Sequence, residues 1–195
     1  MELFRVTAHD PRADEGQPGH PRYIYPLQTI GRWDNADIYR AIYLAHTPEG
    51  AIGEAFGNLA SWGDAMFETP YLPSARRALV TFSAPDDLPL LDLDNADELA
   101  VRALRPSQIV IPNPPFTQAI AKMAYHEMAA PGKRRYSGIT WWSRQYPGWS
   151  NVMLWFPIDV EPKLEVIAID HLTMAHPAVV AAAKVLPRKA ERDRF

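Results

Sequence analysis

Apolar and polar positions alternate from Ile38 to Ala45, with Ile38, Arg40, Ile42 and Leu44 on one face and Tyr39, Ala41, Tyr43 and Ala45 on the other. A period of two predicts a β-strand. Thr47-Pro48-Glu49 follows with a capping hydroxyl, a proline at the first helical position and an early carboxylate, so a helix is expected from there to about Ala60. Within it Ile52, Ala55, Phe56 and Leu59 form one apolar stripe for the core. The opposite face carries Gly50, Gly53 and Gly57 around Glu54. Each glycine inside a helix costs roughly 1 kcal/mol relative to alanine, which predicts that something approaches this backbone closely.

Further strands are predicted at Glu2 to Thr7, Ala78 to Phe82, Leu88 to Leu93, Ile139 to Trp142, Val152 to Phe156 and Leu164 to Ile169. Helices are predicted over Ala96 to Leu104, over a segment after Pro115 that turns Phe116, Ile120, Met123 and Met128 inward, and near Ala178 to Val185. His9 to Pro21, rich in Asp, Pro and Gly, is expected to be a mobile loop. The mixed-sign tail from Arg188 to Arg194 is expected to be solvated.

A chain of 195 residues, 47% of them hydrophobic, is long enough for one sizeable core and short for two large domains. Nineteen prolines against ten glycines point to many short elements, hence a mixed fold. The net charge of -3 gives no footprint for a phosphate backbone, so direct nucleic-acid binding is not expected. The absence of cysteine rules out disulfides, thiolate metal sites and a thiol nucleophile, and it fits a reducing compartment. Met1 to Arg5 does not read as a secretion signal, and the apolar run Ala178 to Ala183 is too short to span a bilayer, so the expected location is the cytoplasm.

The six histidines offer no pair at the spacing that places two imidazoles on one helical turn. No metal is expected, and His171 and His176 read as capping or surface residues. The acidic group Asp92, Asp94, Asp97 and Glu98 lacks the glycine and glutamate of a calcium loop and reads as helix-start charge. Gly-rich dinucleotide and phosphate loops are missing, as is a Gly-x-Ser-x-Gly elbow.

Three segments carry a resemblance. They are Gly31-Arg32-Trp33-Asp34-Asn35, then Ile42-Tyr43-Leu44-Ala45 leading to Ala51-Ile52-Gly53-Glu54, then Ser137-Gly138-Ile139-Thr140-Trp141-Trp142-Ser143-Arg144 with Asn151-Val152-Met153-Leu154-Trp155-Phe156 behind it. In that order the chain resembles the RES domain, named for its arginine, glutamate and serine, from about Leu3 to Phe156. Trp141-Trp142 stands where the family more often has tyrosine and proline. The resemblance implies a single α+β catalytic domain over 1–195, similar to ADP-ribosyltransferases with mixed sheets and flanking helices, in which 157–195 is a C-terminal strand and helix extension. It implies a toxin that cleaves the nicotinamide-ribose bond of NAD by water or inorganic phosphate, with NAD as substrate and no cofactor. The implied partner is an antitoxin with an Xre-type helix-turn-helix domain. Transfer of ADP-ribose to a protein is the rival reaction, and a non-catalytic binding module is the rival of another class.

By the same resemblance Arg32 holds the diphosphate or ribose of NAD, and the alternative is a surface arginine pairing with Asp34 or Asp37. Trp33 either stacks on a base or packs. Tyr43 stacks against nicotinamide or is an ordinary half-buried strand aromatic. Glu54 meets the positive charge that develops on the ribose, on a helix face that the glycines clear for a ligand. Ser143 donates a hydrogen bond to substrate, and Arg144 assists with phosphate.

Overall fold

The computed structural model describes residues 1–26, 28–110, 113–160, 163–186 and, for the backbone, 189–190. In chain order the elements are β1 (Glu2–His9), β2 (Arg40–Ala45), α1 (Pro48–Phe56), β3 (Ser61–Trp62), a 3₁₀ turn (Asp64–Phe67), β4 (Arg76–Ser83), β5 (Leu90–Asp92), α2 (Ala96–Val101), α3 (Pro106–Val110) and α4 (Pro114–His126). There follow β6 (Met128–Ala130), β7 (Lys133–Arg134), β8 (Gly138–Trp142), β9 (Ser150–Phe156), β10 (Glu165–His171), α5 (Pro177–Val185) and β11 (Lys189–Ala190). Seven strands form one mixed sheet in the order β10-β4-β1-β2-β9-β8-β5, in which the β5–β8 pair is parallel. Two small two-stranded sheets, β3 with β11 and β6 with β7, complete this α+β fold.

The large sheet is nearly two sheets. β1 pairs with β4 from Glu2 to His9, and β2 pairs with β9 from Arg40 to Ala45, yet β1 and β2 are joined only at Phe4 and Ala45. Where two strands diverge from one shared pair, a gap opens between them, and the candidate site occupies it.

The alternation of β2 sorts its side chains between cores, as a pleated strand requires. Ala41, together with Tyr39 from the turn before the strand, enters a cluster with Trp33, Ile139, Met153 and Trp155, roofed by α2, α3 and α4. Ala45 joins Phe4, Ile52, Phe56, Trp149 and Val179 between α1 and α5. Ile42 and Leu44 point the other way, to Leu3, Val80, Phe82 and Leu154. The 157–186 region is built into this frame: β10 lies against β4, and α5 packs on α1.

Several local expectations are corrected. The α1 helix stops at Phe56, and its buried face is Gly50, Ala51, Ile52, Gly53 and Phe56, while Ala55 and Leu59 are exposed. In α4 the buried residues are Thr117, Ile120, Ala121, Ala124 and Tyr125, and both Met123 and Met128 are exposed. The small and amphipathic residues fit the roof more closely than the methionines. The 9–21 segment is a series of turns closed by backbone hydrogen bonds, among them Asp10 N to Gly19 O at 3.0 Å and Ala13 N to Asp10 O at 3.0 Å. Of the 188–194 tail only 189–190 is described, as backbone paired with β3, so its expected solvation lies outside the described residues. His176 caps α5 by accepting the Ala178 N–H at 3.2 Å, and Asp97 and Glu98 sit in the first turn of α2.

Candidate active site

The Gly31-Arg32-Trp33-Asp34 turn is fastened from two sides. Its backbone closes through Asp34 N to Gly31 O at 3.2 Å. The Asp34 carboxylate accepts the Gly31 N–H at 2.6 Å and the Tyr43 hydroxyl at 2.7 Å, and the same hydroxyl accepts the Trp33 N–H at 3.0 Å. From α4, Gln118 donates to Gly31 O at 2.9 Å and Thr117 donates to Arg32 O. Burial first, and then the adjacent Asp34 carboxylate, raise the Tyr43 phenol well above its ordinary 10.0. Tyr43 therefore remains protonated.

Trp33 is 0% exposed and packs edge-on against Trp141 at 5.3 Å. Of the two expected roles, the burial of Trp33 fits core packing and leaves no face of the ring for a substrate base. Arg32 lies half-buried with its guanidinium 5.5 Å from the Trp33 ring. Its Nε and Nη2 are buried and, among the described residues, have no hydrogen-bond partner. Asp34, its expected pairing acid, is committed to Gly31 and Tyr43 instead. Burial lowers the Arg32 pKa and the nearby Arg144 lowers it further, while Glu54 and Tyr43 oppose them. A guanidinium stays charged in proteins. Arg32 is thus an uncommitted cation within electrostatic reach of Arg144, Glu54 and Tyr43, which suits it to an anion.

Thr47 caps α1 by accepting the Gly50 N–H at 3.1 Å, and Glu54 follows two turns later. Its Oε1 accepts the Ser143 hydroxyl at 2.5 Å and the Asn151 amide N–H at 3.0 Å. Two donors on one oxygen orient the carboxylate and leave Oε2 available. Ser143 is 1% exposed; its Oγ also accepts the Gln145 N–H at 3.0 Å, so the hydroxyl proton is directed at the Glu54 carboxylate.

The glycines of α1 admit protein rather than ligand, which corrects the expectation of a face cleared for substrate. A Cβ on Gly53 would stand 2.2 Å from a Trp149 ring carbon, and one on Gly57 2.5 Å from the Gln145 side-chain amide. Gln145 also donates to Asn58 at 2.9 Å. The 143–149 loop is thus zipped onto α1 by ring, amide and carboxylate together, and this closeness brings Ser143 to Glu54.

A cavity of about 300 Å³ opens in the gap between β1 and β2, lined by Phe4, Val6, Tyr43, Ala51, Glu54, Trp141 and Asn151 among others. Tyr43, Ala45, Trp141 and Asn151 share a face because Asn151 stands opposite both Ala45 and Trp141 in the strand register. Sequence reasoning assigned no role to Asn151, although a lone amide at the head of the apolar strand Val152 to Phe156 was a signal. Arg5 also borders the cavity, and its side chain turns away to donate to Tyr23 O at 3.0 Å. Among the described residues no group of three or more histidines and carboxylates is placed to hold a metal, and no helix is long and apolar enough to cross a membrane.

A mixed sheet joined at one pair, with a cavity lined by Tyr43 and Glu54, an arginine turn bonded to Tyr43 and a serine bonded to Glu54, defines a class of fold and site, although Arg32 and Ser143 are not among the residues lining the cavity. The RES domain family matches over residues 2–176, and the chain belongs to that family. The fold is similar to that of a chain in the crystal structure of the M. tuberculosis MbcT–MbcA toxin–antitoxin complex, with a TM-score of 0.61 and 17% identity over 95% of this chain and 88% of that one. No curated protein sequence matches the chain.

Proposed function

We propose that this chain is an enzyme that cleaves the nicotinamide-ribose bond of NAD and serves as the toxin of a toxin–antitoxin pair. The observation that carries the reading is the Glu54 carboxylate, pinned through Oε1 by Ser143 and Asn151, in a residue that lines a cavity together with Tyr43 and Trp141. As the bond from the ribose carbon to the pyridinium nitrogen breaks, both electrons leave with neutral nicotinamide, and positive charge builds on the ribose. A fixed carboxylate oxygen stabilises that charge and accepts a hydrogen bond from the adjacent 2-hydroxyl. Ser143 and Asn151 keep the carboxylate from turning away. Arg32, with Arg144 nearby, neutralises the diphosphate. Water captures the ribose carbon and releases a proton, yielding ADP-ribose; inorganic phosphate in its place yields the 1-phosphate.

Membership of the RES family and the fold's similarity to a chain of a toxin–antitoxin complex support the toxin role and an antitoxin partner, for which a helix-turn-helix protein is proposed. The enzymatic reading is tested with purified protein and NAD labelled in the adenosine half. Free nicotinamide and small labelled products are expected, and Glu54→Gln should lower the rate by at least about 100-fold at an unchanged melting temperature. Label retained on protein would assign the reaction to ADP-ribose transfer, and undiminished NAD would overturn the enzymatic reading.

A further inference from the structure

We propose that Asp34 is a positioning residue for Arg32, acting through the Tyr43 hydroxyl, so that Gly31, Asp34 and Tyr43 form one clamp that sets where the guanidinium stands. What Arg32 then holds rests on the NAD reading; the clamp itself does not.

No hydrogen bond among the described residues fixes the Arg32 side chain at Nε or Nη2, and its ring contact is with Trp33 of the same turn. Its place is therefore inherited from the main chain of the turn. Both oxygens of the 5%-exposed Asp34 carboxylate are committed to that turn, Oδ2 to the Gly31 N–H at 2.6 Å and Oδ1 to the Tyr43 hydroxyl at 2.7 Å. Tyr43 spends its single proton on Asp34 and accepts the Trp33 N–H, so it has no proton left to give a substrate. Gly31 belongs to the unit because a Cβ there would come within 2.6 Å of the Asp34 carboxylate and the Tyr43 hydroxyl.

The clamp does two things. It ties the Arg32 turn to β2, the strand that leads directly into α1 and Glu54, so that cation and carboxylate share one reference frame. It also engages the acid of the Arg32 turn itself, so that Asp34 is not available to pair with Arg32. A hydrogen bond to a buried charged group is stronger than a neutral one, so loss of either clamp bond should loosen the β2 side of the turn while Gln118 and Thr117 still hold its α4 side.

The test is a kinetic cycle with Tyr43→Phe, which keeps the ring and removes the bond, and with Asp34→Asn. In the wild-type background each should raise KM for NAD by about tenfold, with a smaller effect on kcat. In an Arg32→Ala background neither should add a further loss. An unchanged KM in Tyr43→Phe, or losses that add fully to that of Arg32→Ala, would overturn the proposal. A second readout needs no turnover: the Arg32 Nε–H signal in a nitrogen-correlated NMR spectrum, assigned by Arg32→Lys. It should move or broaden in Tyr43→Phe while backbone amides of α5 stay in place, and an unmoved signal overturns the clamp. Should the wild type release no nicotinamide while this signal responds, the NAD reading falls and the clamp stands.

Discussion

Gly50 and Gly53 occupy the same face of one helix and differ in what they touch. A Cβ on Gly50 would meet Ala45 and the Trp149 Cβ at 3.5 Å and Thr47 Oγ1 at 3.0 Å, whereas one on Gly53 would overlap the Trp149 ring at 2.2 Å. Alanine gains roughly 1 kcal/mol over glycine in a helix, and overpacking a filled site loses about 1–3 kcal/mol. Gly50→Ala should therefore leave the urea midpoint nearly unchanged or slightly raised, and Gly53→Ala should lower it. Because the Ser143 N–H donates to Trp149 O at 2.7 Å, displacement of Trp149 also moves Ser143, so Gly53→Ala should slow NAD cleavage beyond its effect on folding. Equal behaviour of the two variants would show that Trp149 has room to move.

The α1 helix begins at a local signal and ends in a long-range one. Thr47 caps its first turn, and replacement of such a cap by alanine costs about 1 kcal/mol. Glu54 is held separately by Ser143 and Asn151, so Thr47→Ala should lower thermal stability by that amount and leave KM for NAD unaltered; a changed KM would show that the first turn reports to the site. Between β1 and β2 the opposite economy holds. Each strand is paired along its length on its outer side, and the single joint at Phe4 and Ala45 leaves the gap in which the cavity forms.

At the scale of the whole molecule, two imidazoles set a pH dependence. Burial is the leading cause that lowers the pKa of both His46 and His9; Asp92 partly opposes it at His46, and His171 adds to it at His9. With folded pKa values below the unfolded 6.5, the unfolded chain binds more protons as pH falls, so stability is full above about 6.5 and declines below it. Urea midpoints should fall from pH 7.5 to pH 5, and His46→Gln should flatten the decline; an unchanged slope would mean that His46 is not the source. Local sequence determined what depends on near neighbours. The strand expected over 38–45 forms from Arg40 to Ala45, with Ile38 and Tyr39 in the preceding turn, and the Thr47-Pro48 helix start and most strands stand where the pattern puts them, because period and capping are satisfied within a few residues. The ordered motifs pointed to the RES family for the same reason, each being a short local run. Apolar type alone misled at Met123 and Met128, where fit against the roof of the core chose Thr117 and Tyr125 instead. Only the tertiary structure decided that Gly53 receives Trp149, that Asp34 serves Tyr43 rather than Arg32, and that Ser143 and Asn151 meet on Glu54 across separations of 89 and 97 residues. Those contacts depend on which strands lie side by side, and strand order is set by the joint burial of many distant side chains, which no local period records.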